Sequence, residues 1–374
     1  MSEIMIRGSQ PAGWKIRLLG QVFRERKEKG SDIDFPALSV TMQGILPQLE
    51  TAAKTDRGDD RKVVRVGDYV INSRSDRKGS GGISQLEGSV SLISIVMEPV
   101  GIVPEFAHHL LRSVAFQEEF YRFGRGIVAD LWSTRFDDLK RIQVFLPSKQ
   151  RQDEIASFLD RETSRIDALI EKKTKFIELL KEKRQALITQ AVTKGLDPNV
   201  KMKDSGVEWI GEVPEGWTSV PIWRVARLES GHTPSRSVPA YWENCTIPWF
   251  TLADIWQVRK AGRVSVTQTS EKVSELGVAN SSARKLPSGT VILSRTASVG
   301  FPAITGCEMA VSQDFAAWVC GDRLFNGYLY LTLIAMRQEL GRLTMGSTHK
   351  TIYMPDIEQL CCPLPPVEDQ RQIV

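Results

Sequence analysis

Cysteine is scarce and scattered: Cys245, Cys307, Cys320 and the adjacent Cys361 and Cys362 are the five in 374 residues, with no C-x-x-C spacing. That excludes a disulfide scaffold. The four histidines, His108, His109, His232 and His349, are too dispersed to complete a zinc site by spacing, so no metal ligand is nominated. Long apolar runs are missing too. Val90 to Met97 and Tyr328 to Met336 fall far short of the roughly 18–20 residues that span a bilayer. The start, Met1-Ser2-Glu3-Ile4-Met5-Ile6-Arg7, has no apolar signal core, so the expected location is cytoplasmic, with no membrane partner. Charge of one sign is not in excess, with 49 Lys+Arg against 45 Asp+Glu. Net charge is +2 over 1–148, +3 over 149–194 and −1 over 195–374, so a nucleic-acid surface, if present, must be local.

Catalytic signatures are absent as well. There is no G-x-x-x-x-G-K-[ST] phosphate loop, no H-E-x-x-H and no G-x-S-x-G elbow. No Asn-Pro-Pro-aromatic or Asp-Pro-Pro-aromatic segment of the kind that holds a flipped base occurs, so methyl transfer by this chain alone is not expected. Phe123-Gly124-Arg125-Gly126 follows a predicted helix instead of a strand, which is wrong for a cofactor loop. Pro355-Asp356-Ile357-Glu358 lacks the Glu-x-Lys that a metal nuclease would need. No catalytic residue and no bound cofactor are expected.

What is present is an internal duplication. Pro11-Ala12-Gly13-Trp14 is echoed by Pro214-Glu215-Gly216-Trp217, and Gly67-Asp68-Tyr69-Val70-Ile71-Asn72 by Gly289-Thr290-Val291-Ile292-Leu293-Ser294. Ser89-Val90-Ser91 pairs with Ala310-Val311-Ser312. Asp138-Leu139, Leu146-Pro147, Gln152 and Ile155 pair with Asp356-Ile357, Leu364-Pro365, Gln370 and Ile373. The offsets are 203, 222, 221 and 218, so two similar modules follow each other with short insertions. In the first, Val63–Asn72 and Ser89–Met97 read as strands and Glu105–Phe123 as an amphipathic helix; in the second, Val291–Ser294 and Phe315–Val319 read as strands and Tyr328–Leu343 as the helix.

Between the modules, Ile155, Leu159, Ile166, Leu169, Phe176, Leu180 and Leu187 recur at steps of about three and four, flanked by Ile170, Ile177 and Ala191, with no Pro or Gly over 149–194. Gly195 and Pro198 supply the stop. The spacing predicts one helix of about 70 Å whose seam needs another helix or subunit to cover it. The expected fold class is α/β (mixed α+β): two similar β-containing modules joined by a long coiled-coil-type α-helix.

Candidate contact residues sit on polar loops. Lys54, Arg57, Arg61, Lys62 and Arg65 precede a predicted strand, and Arg74, Arg77 and Lys78 follow it in the Gly-rich Ser73–Gly82 loop. Arg and Lys there can neutralise phosphates or pair with guanine, although Asp56, Asp59, Asp60 and Asp76 leave a merely solvated loop open. The counterpart loop, Ser294–Gly300, carries Arg295 and Ser298, and Ser347, Thr348, His349 and Lys350 form a second polar segment, for which a turn role is equally open. Trp242, Trp249, Phe250 and Trp256 are read as core and rim packing.

The segments Gln152–Asp160, Arg165–Ile170 and Ile177–Ile188 resemble the central conserved region of type I restriction-modification specificity subunits, and Ala191–Asp197 with Asp204–Trp217 resembles that family's linker into a second target recognition domain. The resemblance implies a non-catalytic reader of double-stranded DNA. Its two target recognition domains, 1–148 and 214–363, would each read half of a bipartite sequence. Helix 149–194 would act as spacer and docking element for modification and restriction subunits, with 195–213 as linker. S-adenosylmethionine, ATP and Mg would belong to those partners. The segment 364–374 matches the start of a second long helix, which suggests a truncated chain, inactive or completed by a second copy of itself. A coiled-coil scaffold without sequence-specific DNA binding is the competing expectation.

Overall fold

The computed structural model describes residues 11–48, 60–74, 78–125, 133–344 and 350–374. Contacts divide the chain into Met1–Lys172 and Lys173–Val374, the division falling inside the central helix.

In the first unit a four-stranded antiparallel sheet runs in the order Phe23–Glu25, Ser94–Pro99, Tyr69–Asn72, Gly81–Ile83. The interior strand Tyr69–Asn72 is buried at all four positions, as its apolar run demands. Gly67, at φ +90°, makes the left-handed turn that ends Arg61–Val64 before Tyr69 begins, so the predicted strand over 63–72 is two strands in two sheets. The core beneath the sheet holds Phe23, Tyr69, Met97, Phe106, Phe116 and Phe120. The predicted helix 105–123 is likewise two, Pro104–Arg112 and Val114–Arg122. Ser113 between them is extended, and its Oγ accepts the Phe116 N–H at 3.3 Å, so a local cap interrupts the amphipathic pattern.

The second unit repeats the topology. Its five-stranded sheet runs Ala226–Ser230, Phe315–Cys320, Val291–Ser294, Pro302–Thr305, Ser265–Val266, and the first four match the order in the first unit. The helix over 328–343 again divides, into Asn326–Ala335 and Arg337–Arg342 around Met336. In both units an early strand closes on the last: Lys15–Leu18 pairs with Gln143–Leu146, and Thr218–Pro221 with Cys361–Leu364.

Each closure hands the chain to a helix led by a buried glutamine. Gln152, 2% exposed, accepts the Val103 N–H at 2.9 Å and donates to the Pro147 carbonyl at 3.0 Å. Gln370, fully buried, accepts the Phe325 N–H at 2.7 Å and donates to the carbonyls of Arg323 and Pro365 at 3.0 and 2.9 Å. The central helix runs unbroken over Lys149–Lys194. Its last turn is fixed in the second unit, where Val192 is fully buried and the Tyr328 hydroxyl donates to the Val192 carbonyl at 2.9 Å. Gly195, at φ +74°, ends it against the Trp217 ring. Among the described residues no helix is long and apolar enough to cross a membrane.

Replacing Gln370→Ala strands a buried N–H and two carbonyls and should destabilise the second unit by about 1–3 kcal/mol. Hydrogen exchange at the Phe325 amide should accelerate while that at Val103 holds; equal change at both would show the units not to be separately closed. A second expectation concerns pH. His108 accepts the Ile83 N–H at 3.4 Å, and burial, reinforced by Arg112 and His109, pushes its pKa down to about 4. The unfolded imidazole is protonated first as pH falls, so first-unit stability present above the ordinary value of 6.5 is lost between there and about 4. Urea unfolding at pH 7 and 5 should show this loss, and His108→Gln should reduce it; the same loss in the variant would reject the assignment.

Candidate nucleic-acid interface

The buried middle strand of each unit delivers one polar loop to the same corner. After Tyr69–Asn72, the Ser73 carbonyl accepts the Thr134 N–H at 3.0 Å and Arg74 bridges to Ser133. After Val291–Ser294, the Arg295 carbonyl accepts the Ile352 N–H at 2.8 Å and Thr296 bridges to Thr351. Both corners therefore join the loop after this strand to the segment leading into the module's last short helix, Phe136–Leu139 or Met354–Glu358. A rigid strand end carrying two loops is an arrangement in which recognition can vary without disturbing the core.

The candidate residues divide sharply. Lys54, Arg57, Arg77, Ser347, Thr348 and His349 lie outside the described residues. Arg61 is corrected: it is 4% exposed, and its guanidinium donates to the Ser89 Oγ and carbonyl at 2.9 and 3.1 Å, so it is a structural tie that faces no solvent. Lys62 is half-buried, donates to the Ser94 carbonyl at 2.7 Å, and has its pKa lowered chiefly by burial. It lines a cleft of about 520 Å³ together with Arg74. Arg74 is exposed, its backbone N–H held by the Asn72 side chain at 3.0 Å. Lys78 is exposed with its ammonium 5.7 Å from the Tyr121 ring centroid. Lys27 and Arg135 join that cleft, and neither was nominated from sequence. Only an alternating charge run, Arg24 to Lys29, hinted at Lys27, and nothing local marked Arg135. Glu25 and Asp137 also line the cleft and offset part of its charge.

In the second unit Arg295 is corrected in part. The strand register aligns Arg74 with Thr296, not with Arg295, and the Arg295 side chain is half-buried, donating to the Ile352 carbonyl at 3.3 Å. Its Nε is buried without a partner, and burial lowers its pKa despite nearby Asp314. Lys350 does reach this corner, where its carbonyl accepts the N–H of Ala297, the neighbour of Ser298, at 3.2 Å, and Lys350 is exposed. Ala297 and Lys350 have φ of +57° and +41°. Two non-glycine residues in the left-handed region, each costing on the order of 1–3 kcal/mol, mark a backbone held in shape by its surroundings.

The aromatics behave as packing. Trp249 and Phe250 are buried, Trp242 lies under Arg236 at 3.8 Å, and only Trp256 is half-exposed. Along the central helix, Ile155 and Leu159 are half-buried, while Ile166, Leu169, Phe176, Leu180 and Leu187 remain 49–60% exposed. Burial pushes the Cys320 and Cys362 thiols up to about 12, which keeps them protonated. Among the described residues no group of three or more His, Cys, Asp or Glu is placed to hold a metal ion.

Residues 214–374 match the family of the type I restriction modification DNA specificity domain. The chain is 26% identical over 166 residues to the MjaIX type I restriction enzyme specificity subunit of Methanocaldococcus jannaschii, a match covering 44% of this chain and 38% of that protein. It is 22% identical over 355 residues to the HindI specificity subunit of Haemophilus influenzae, covering 78% of this chain and 75% of the relative. Its fold is similar to the HsdS subunit from Thermoanaerobacter tengcongensis, with a TM-score of 0.58 at 19% identity over 98% of this chain and 88% of the other. Two modules of one topology joined by a long helix are therefore present, and the second of them is the one that matches the type I restriction modification DNA specificity domain.

Proposed function

We propose that the chain is the sequence-specific DNA-recognition subunit of a type I restriction-modification complex, each module reading one half of a bipartite target. The observation that carries this reading is the corner built twice: the same buried strand, with the polar segment that follows it bridged to the segment leading into the module's last short helix. Arg74 and Lys78 in the first module, and Ser298 and Lys350 in the second, are the described side chains suited to reach DNA. Phosphate contacts would supply much of the affinity, and base edges the discrimination. The chain would carry no chemistry of its own. Modification and restriction subunits, with S-adenosylmethionine, ATP and Mg, would methylate and cleave. The exposed stripe from Ile166 to Leu187 supports a docking role for the central helix, and a second copy of the chain is a further candidate to cover it.

Co-expression with the modification subunit, followed by single-molecule sequencing of plasmid DNA for methylated adenines, should give a motif with two unlike halves. Inverted identical halves would assign recognition to one module in a dimer, and no methylation beside detectable assembly would favour a scaffold. Arg74→Ala should weaken or relax one half-site by about 1–3 kcal/mol and Lys350→Ala should weaken only the other. Equal effects on both halves would overturn the assignment of one corner to each half.

A further inference from the structure

The second unit holds a cleft of about 610 Å³ that none of the nominated residues lines. Its walls come from four separate segments: the central helix, the helix Trp256–Arg259, the turn at Gly300 to Pro302, and the region around Tyr330 to Arg337. Four cations line it, Lys181, Arg184, Arg259 and Arg337, and no carboxylate does. Some exposed cations elsewhere in this unit are paired, as Arg236 is with Glu271, Lys285 with Glu275 and Glu308, and Arg342 with Glu339. In the cleft, Arg259 has only the Phe301 ring, 5.9 Å away, and none of the four forms an ion pair among the described residues. The first-unit cleft differs in this respect, since Glu25 and Asp137 share its lining with the cations.

Four like charges facing one open volume repel each other, and the arrangement is relieved by an anion that brings several acceptor oxygens. Three of the four are arginines, whose planar forks match a phosphate. Tyr330 adds a hydroxyl whose pKa burial raises, and Gln185 is tied to the Ile334 carbonyl at 2.9 Å, so this wall is fixed. The position is also informative. Gly300 to Pro302 closes the loop that begins at Arg295, so an anion in the cleft would sit at the root of the second module's corner.

We propose that this cleft is a phosphate-binding site that takes a backbone phosphodiester of the DNA beside the half-site read by the second module. The inference rests on the DNA-recognition reading above and adds to it a positioning contact that carries no sequence information. Free polyphosphate offers the same chemistry, so the test separates the two sources.

The full chain assembled with its modification subunit is titrated with cognate duplex, and with duplex altered in the second half-site, across a range of salt. The variant Arg184→Ala/Arg259→Ala should bind about tenfold more weakly to both duplexes, its log affinity against log salt should flatten by about one per lost phosphate contact, and its methylated motif should be unchanged. Arg184→Lys/Arg259→Lys keeps the charges and should restore the slope, and Arg342→Ala, outside the cleft, should leave it alone. Wild-type complex that binds DNA while the alanine variant matches it in affinity and slope overturns the phosphate site. Wild-type complex that binds no DNA overturns the preceding reading instead. Calorimetry with inorganic pyrophosphate completes the test. Tight binding abolished by the alanine pair, with DNA binding untouched, would assign the cleft to a free polyphosphate and reject the DNA source.

Discussion

A side-chain amide closes each module, and much else follows from it. Where the last strand turns into a helix, the chain leaves buried backbone groups that neither element can satisfy. Gln152 and Gln370 supply a donor and an acceptor from one planar group, joining the carbonyl before their helix to the N–H that starts another segment of the same module. A charged residue would pay heavily for desolvation there, and a hydroxyl is too short to reach both sides. With this joint made, an early strand pairs with the last, the core seals beneath the main sheet, and the middle strand ends at a fixed place.

That fixed end separates two kinds of cation. Arg61 and Arg295 are turned inward, Arg61 tying two strands together and Arg295 tying its loop to the crossing segment. Arg74, Lys78 and Lys350 lie on the outer side, exposed. Composition alone cannot make this division, because a guanidinium serves both roles with the same donors. In the second module the strained Ala297 and Lys350 show the loop held by its attachments, not by its own preference.

The large features were legible because each rests on a pattern with a period or a repeat. The helix Lys149–Lys194 follows from an uninterrupted apolar spacing and a glycine stop, and the shared topology from ordered echoes such as Gly67–Asn72 with Gly289–Ser294. The breaks at Ser113 and Met336 leave no mark in the sequence, because the apolar spacing continues through them while the helical backbone does not. Arg61 was misplaced because burial depends on partners distant in sequence, here Ser89. The four-cation cleft had no linear signal: Lys181, Arg184, Arg259 and Arg337 come from segments that only the fold assembles.

The apolar stripe of the central helix, from Ile166 to Leu187, has a cellular consequence. A surface of this kind is stable in water only in proportion to how often something covers it, and mass action then ties the chain's persistence to the concentration of its cover. Chains made in excess would keep the stripe bare and be the first to aggregate or meet a protease. Stoichiometry in the cell would thus be enforced by the helix itself, without any dedicated regulator.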